Sequence, residues 1–338
     1  MVNATHIRLD ATDRSYFAIL KKEIHALATS AGFSTHKVGE VDIIVAEMVS
    51  NLAKHASGGQ VLVKLVEEKE VQGIELISVD NGPGMSNVYK LMEDGISTKK
   101  TLGHGLGAMR RLSDQFEIYS QKGWGTIVLS RIFQKPIPAA SWKEKAEIKT
   151  VILPKPGEEV CGDGFYYKRT GSQVKLFLGD GLGHGPYAAH AVTEAIKAFK
   201  VCPEESPLEI LKYIHSSVRK TRGLVGTVVI INLKEKKLKS CGIGNIMTRV
   251  LGFAVNKNYI SYNGIIGLNI PGSLKDQEAQ IENGQTIIMC SDGIKSRWDP
   301  ARYPGILRYD LSILSAALLK DFARNTDDMS VAACKLNV

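Results

Sequence analysis

The sequence predicts an α/β (α+β) protein of two domains, and three observations carry that prediction. The chain has 338 residues, more than one hydrophobic core ordinarily organises. Its first 134 residues mix helix-period and strand-period apolar patterns. After a break, its remainder shifts to many short β-rich runs interrupted by helical ones.

In the first half, Val41, Ile44, Val45, Met48 and Leu52 recur at helical spacing and predict a helix over 37–55. Runs 61–66 and 74–79 read as strands about a charged turn with Gly73. A helix is expected over 104–113 after a glycine-rich start. A hairpin of 116–120 and 125–133 should close around Lys122-Gly123. Helices covering one face of an antiparallel or mixed sheet would bury this pattern. From Gln134 to Lys149 the pattern breaks. Pro136, Pro138 and the mixed charges of 143–147 predict a linker. Beyond it, strands are expected at 150–153, 173–179, 225–233, 245–251 and 286–290, and helices at 186–200, 207–220 and 311–323. No internal repeat or low-complexity tract is present.

Composition narrows the class. With 44% hydrophobic and 23% charged residues the chain reads as globular. No apolar run approaches the ~18 residues of a membrane span, and the start lacks signal-peptide order, so a cytoplasmic protein without membrane attachment is expected. The five cysteines are scattered and never in C-x-x-C spacing, which favours reduced thiols over zinc or disulfides. Net charge is +8, of which +1 lies in residues 1–140 and +7 in the rest. No basic run is long and no aromatics interleave, so an acidic or phosphorylated partner is favoured over nucleic acid.

Two sets of motifs carry chemistry. In the first, Glu47, Asn51 and His55 share one face of the predicted helix. Glu47 can orient or deprotonate an attacking hydroxyl or water, and Asn51 can offer a neutral oxygen to Mg2+. Asp80 ends a strand, where its carboxylate can accept from an exocyclic amine such as adenine's. Gly82 and Gly84 of Asp80-Asn-Gly-Pro-Gly84 let backbone approach the base. Gly103, Gly105 and Gly107 open a helix whose free N–H groups can hold phosphates. The polar stretch 85–102, with Ser97-Thr-Lys-Lys100, suits a lid. Each motif alone has an ordinary reading as a helix face or a turn; their order and spacing make a nucleotide pocket. His55 and His104 admit both a phosphate contact and a structural role.

In the second set, Asp163, Asp180, Asp292 and Asp327 each sit at the end of a strand-like run beside glycine or another acid. Hard divalent cations want carboxylate, carbonyl and water oxygens, and two of them ~3.5–4 Å apart can activate a water and clamp a phosphate. Gly181 would present its carbonyl where a side chain would block a metal. Any one Asp-Gly alone reads as a turn, and Ser291-Asp-Gly is the weakest. The run from Gly179 to Ala189, which ends a strand and enters a helix, is the strongest.

With these residues in view, residues 1 to about 134 resemble the GHKL ATPase/kinase superfamily through its three boxes. Asp94-Gly-Ile-Ser-Thr98 and the run from Arg110 through Asp114 resemble most closely the RsbT-type switch serine kinases. Thr126, after Gly125, matches a nucleotide-lining strand position of that superfamily. Residues from about 147 resemble type 2C metal-dependent serine/threonine phosphatases, especially the SpoIIE branch and the compact RsbX-type enzymes. Cys161-Gly-Asp-Gly, Gly179 to Gly185, Cys241-Gly-Ile-Gly-Asn245 and Asp327-Asp-Met-Ser-Val carry that likeness.

The resemblances imply a GHKL α/β sandwich over 1–134, a linker at 135–146 and a type 2C αββα sandwich over 147–338. They imply ATP and Mg2+ at the first site and two Mn2+ or Mg2+ ions at the second. There Asp180 would bridge both ions, Gly181 would give its carbonyl, and Asp163, Asp292 and Asp327 would complete the set. Asp328 is read as a neighbour, and His184 admits either a phosphate contact or a helix-start role. The expected function is a bifunctional serine/threonine kinase and phosphatase acting on a STAS-domain antagonist or stressosome-like protein, with a link to a sigma-factor pathway. One rival is an ATP-binding module that sequesters a partner, fused to an active phosphatase. Another is two enzymes joined only for co-expression.

Overall fold

The computed structural model describes residues 5–11, 13–56, 58–86, 88, 105–138, 144–252 and 256–337. They form two units. One comprises His6–Ala140 with Arg308–Ala317, the other Ser141–Leu307 with Leu318–Val338. Among the described residues no helix is long and apolar enough to cross a membrane.

The first unit runs β1 (Ile7–Asp10), α1 (Arg14–Ser30), α2 (Thr35–His55), β2 (Gly59–Glu68), β3 (Val71–Asp80), α3 (Gly105–Leu112), β4 (Gln115–Gln121) and β5 (Gly125–Phe133). Its sheet has the order β1-β2-β3-β5-β4, antiparallel throughout. Helix α2 starts just before the predicted stripe because Ser34 caps it, accepting from the Lys37 N–H. The stripe of Val41, Ile44, Val45, Met48 and Leu52 packs with Leu20 and Ile24 of α1 onto Val61, Val63, Ile74 and Leu76 of the sheet. The expected hairpin forms as β4 and β5, with Gly123 at φ +78° in its turn.

Strand β3 is buried on both faces, and its second face is polar. Glu75 accepts from Arg131 Nε at 2.6 Å, pairs with His6 at 3.1 Å and lies 3.4 Å from Lys64 Nζ. Asp310 and Ser312, which belong to this unit, complete the group. Arg131 donates to both Asp310 oxygens at 2.7 and 2.9 Å, and Ser312 Oγ donates to Glu75 at 3.1 Å. Burial alone would raise the Glu75 pKa, but Lys64, Arg131 and His6 outweigh it and hold this carboxyl well below its usual range. Nothing in the periodicity announces this group, because its members are far apart in sequence.

The second unit contains β6 (Ala146–Leu153), β7 (Asp163–Thr170), β8 (Gln173–Gly181), α4 (Pro186–Val201), α5 (Pro207–Ser217), β9 (Leu224–Asn232), β10 (Lys237–Ile243), β11 (Met247–Leu251), β12 (Asn256–Tyr259), β13 (Gln277–Gln280), β14 (Thr286–Cys290) and β15 (Met329–Leu336). Helix α6 (Leu311–Phe322) lies between β14 and β15 in sequence. Two five-stranded sheets form, ordered β13-β10-β9-β8-β7 and β12-β11-β14-β15-β6. Alternation along β8 shows how they stack. Leu176 and Leu178 join Val229, Ile287, Met289 and Ala332 in the core between the sheets. Phe177, between them, faces the other way and packs with Val228 and Ile230 against Val192, Phe199, Ile210 and Ile214 of α4 and α5.

Strand β6 begins earlier than its apolar run suggests. It pairs with β15 from Ala146 onward, inside the stretch expected to lie in the broken pattern up to Lys149. The reason is its place at the sheet edge. Ala146 and Ile148 turn to the core, while Glu147 and Lys149 alternate with them, and that alternation of charge reads as linker.

Candidate functional site

In the second unit the sheet register brings the acidic motifs together. Asp163 opens β7 and Asp180 lies near the end of β8, and the two are directly opposed as cross-strand partners. Like charges in that relation repel and destabilise the ladder unless something compensates. Asp292 follows β14 and Asp327 precedes β15, neighbouring strands of the other sheet. All of these carboxylates, with Asp328, act on Asp180. Burial and the negative charge of Asp163, Asp292, Asp327 and Asp328 push its pKa up to about 9. Burial likewise raises Asp163 to about 7, against the pull of the Ser291 hydroxyl.

Neighbouring groups fix each carboxylate. Ser291 Oγ donates to Asp163 Oδ2 at 2.6 Å, and the Asn245 amide donates to Asp292 at 2.7 Å. Asp328, read from sequence as a neighbour, has both oxygens engaged. It accepts from the N–H of Lys155 at 2.8 Å and of Gly162 at 2.9 Å, and so holds the turn that presents Asp163. At Gly181 a Cβ would collide with the Ala188 carbonyl at the start of α4, so only glycine fits. One buried oxygen is left over: Asp163 Oδ1 has no hydrogen-bond partner.

This set fits divalent cations. A repelling cluster of carboxylates with an orphaned buried oxygen is chemically incomplete without positive charge. Among the described residues no group of three or more His, Cys, Asp or Glu side chains is already drawn together in a metal-holding arrangement. All five cysteines are buried and free, and Cys161 lies beside the site next to Asp163 and Asp328.

In the first unit, Glu47 and Asn51 lie half-buried on one face of α2. A Cβ at Gly105 would sit 2.5 Å from Glu47 Oε2 and 3.9 Å from Asn51 Oδ1, so the start of α3 abuts both side chains. Asp80 ends β3 and organises the next turn. Its Oδ1 accepts from Gly82 N–H at 2.7 Å and Thr126 N–H at 3.1 Å, which joins two residues predicted from separate motifs. Gly82 packs on the His55 carbonyl at the end of α2, and Gly84, at φ +67°, leaves no room for a Cβ against the Gln121 carbonyl. The Thr126 hydroxyl pairs with Ser120 at 2.9 Å. Glu47, Asn51, His55, Asp80, Gly82, Gly84, Gly105, Gly107 and Thr126 thus lie in one unit, on α2, at the end of β3 and the turn after it, at the start of α3 and on β5. Gly103, His104 and most of the predicted lid lie outside the described residues.

Sequence reasoning singled out the carboxylates but not the groups that hold them. Asn245 stood inside a glycine-rich motif without a role, and Ser291 inside the weakest one.

Comparison with known proteins matches two separate stretches of the chain. Residues 10–132 match the histidine kinase-like ATPase domain, and residues 170–337 match the stage II sporulation protein E (SpoIIE) family. The serine/threonine-protein kinase RsbT of Bacillus subtilis is 35% identical over 100 residues, 30% of this chain and 75% of the relative. The phosphoserine phosphatase RsbX of the same organism is 23% identical over 155 residues, 45% of this chain and 77% of the relative. Among solved structures, a chain from a study of the bacterial stressosome as a modular signalling system matches with TM-score 0.54 and 27% identity. It covers 57% of this chain and all of its own length. RsbX in complex with magnesium matches with TM-score 0.52 and 20% identity over 58% of this chain and 98% of its own, a likeness of fold. The chain thus belongs to the family of the serine/threonine-protein kinase RsbT, with its histidine kinase-like ATPase domain, and its residues 170–337 are similar to the SpoIIE family and to RsbX.

Proposed function

We propose that this chain is a bifunctional regulator: a serine/threonine kinase and a metal-dependent protein phosphatase that act on one small STAS-like protein of a partner-switching pathway. The observation that carries the phosphatase reading is the opposed pair Asp163 and Asp180, with one buried oxygen still unpartnered. Asp163, Asp180, Asp292, Asp327 and the Gly181 carbonyl would hold two Mn2+ or Mg2+ ions. Those ions supply Lewis-acid charge at the phosphate and lower the pKa of water. The chain's own part is positional. Ser291 aims Asp163, Asn245 aims Asp292, and Asp328 holds the Gly162–Asp163 turn.

In the kinase reading, Glu47 takes the proton of the acceptor hydroxyl and Asn51 offers its oxygen to Mg2+. Asp80, with Gly82, Gly84 and Thr126, receives the adenine end of ATP. Gly105 and Gly107 at the start of α3, with Gly103 of the same motif, would receive the phosphates, and His55 ends α2. Support comes from the meeting of α3 with Glu47 and from the Asp80–Thr126 link. The shared partner is inferred from the two likenesses together, one to a serine/threonine kinase and one to a phosphoserine phosphatase.

The test is transfer of labelled γ-phosphate from Mg-ATP to candidate STAS proteins, followed by release of label on adding Mn2+. Transfer without Mn2+-dependent release, or release without transfer, would remove one half of the proposal.

A further inference from the structure

The geometry points to Arg222 as the residue that receives the phosphate of the phosphorylated side chain at the second-unit site, an assignment that rests on the phosphatase reading above. Along the ladder of β8 with β9, Asp180 faces Val225 and Gly181 faces Leu224. Leu182 N–H then donates to the Gly223 carbonyl at 3.2 Å. One step further, Gly183 meets Arg222. A Cβ on Gly183 would lie 3.1 Å from Arg222 Nη1. Arg222 lies in the bend just before β9, three residues ahead of Val225, which faces Asp180. Its guanidinium thus stands against the loop that leaves Asp180 and Gly181.

The loop is built for a guanidinium at this point. Gly183 and Gly185 take φ of +79° and +74°, which glycine alone adopts freely, and the absent Cβ opens the approach. Arg222 Cζ lies 5.7 Å from the centroid of the Tyr187 ring, which orients the guanidinium while the ring stays 75% exposed. Two other cations near the motif are already engaged. His184 pairs with Glu158 at 2.6 Å, and the charge of Arg324 acts on Asp292. Among the described residues Arg222 has no carboxylate partner. A planar fork of donors suits phosphate better than an ammonium does.

The experiment uses the full chain with Mn2+, para-nitrophenyl phosphate as substrate and inorganic phosphate as competitor. Arg222→Ala should lower kcat/KM about tenfold and raise the phosphate inhibition constant by about as much. Direct calorimetric binding of phosphate to the Mn2+-loaded protein should weaken in parallel, while the Mn2+ isotherm is unchanged. Arg222→Lys should recover part of the loss, Tyr187→Ala should show a smaller one, and Lys220→Ala, which removes a neighbouring charge, should show none. Equal phosphate binding in wild type and Arg222→Ala overturns the assignment, and so does a wild type that binds no phosphate. A wild type that binds phosphate through Arg222 yet hydrolyses nothing keeps this assignment and sinks the phosphatase reading instead.

Discussion

Ser291 Oγ donates to Asp163 Oδ2 at 2.6 Å and in turn accepts from the Ser330 N–H at 3.0 Å. One hydroxyl thereby ties the end of β14 and the start of β15 to the first carboxylate of the acidic cluster. It satisfies one Asp163 oxygen and leaves the other aimed and unpartnered.

Removing that hydroxyl should loosen the metal site without emptying it. Ser291→Ala is expected to weaken Mn2+ binding by roughly tenfold, the usual cost of losing a group that orients a ligand. Asn245→Ala should act the same way through Asp292. Calorimetric Mn2+ titration checks both, with circular dichroism to show that the fold is kept.

The raised carboxyls give a signed pH dependence. Asp180 at about 9 and Asp163 at about 7 both lie above the ordinary ~3.9 of an aspartate. The folded, metal-free protein therefore holds protons that the unfolded chain has lost. Their contribution to stability is complete below pH ~4 and is lost as pH rises toward 9. Metal-free Tm should fall between pH 5 and pH 8. Mn2+ should raise Tm more at pH 8, and binding near pH 7 should release protons. Asp180→Asn should flatten the profile and raise the metal-free Tm at pH 8 by roughly 5 °C. A Mn2+ shift that is the same at both pH values contradicts this account.

Glu75 carries the opposite sign. Its depressed pKa gives stability that is complete above the ordinary carboxylate range and is lost as pH falls through the folded value. Glu75→Ala leaves Arg131 and Lys64 buried beside a hole and should cost about 3–5 kcal/mol. Urea unfolding at pH 7, followed by the first unit's fluorescence from Trp124, measures it.

At the nucleotide turn, asparagine separates structure from recognition. Asp80→Asn keeps an oxygen for the Gly82 and Thr126 N–H groups but turns a pure acceptor into a group that also donates. Tm should stay within ~1 °C while ATP affinity falls by about tenfold. Asp80→Ala should lose both. Equal ATP affinity in wild type and Asp80→Asn removes Asp80 from adenine recognition.

What the sequence made legible followed period and glycine. The stripe from Val41 to Leu52 gave α2, and Lys122-Gly123 gave the β4–β5 turn, because local pattern and tertiary burial agree there. The acidic motifs were visible for the same reason, since each lies at a strand end where the chain must turn. Their meeting followed from the family resemblance and not from the local pattern, because the opposition of Asp163 and Asp180 is a matter of register. Edge strand β6 hid behind its own outward charges. The Glu75–Arg131 pair and the Ser291–Asp163 bond join residues 56 and 128 positions apart, and no local window contains either.

The central claim is that one chain adds and removes the same phosphate. The Asp180→Ala protein, given Mg-ATP, should phosphorylate a candidate STAS partner at one serine or threonine, mapped by mass spectrometry. That phosphoprotein is then given, with Mn2+, to the Asn51→Ala protein, whose second unit is untouched. Loss of phosphate from the mapped residue is the predicted result. A kinase that marks one protein while the phosphatase releases phosphate only from another would contradict the shared-substrate cycle.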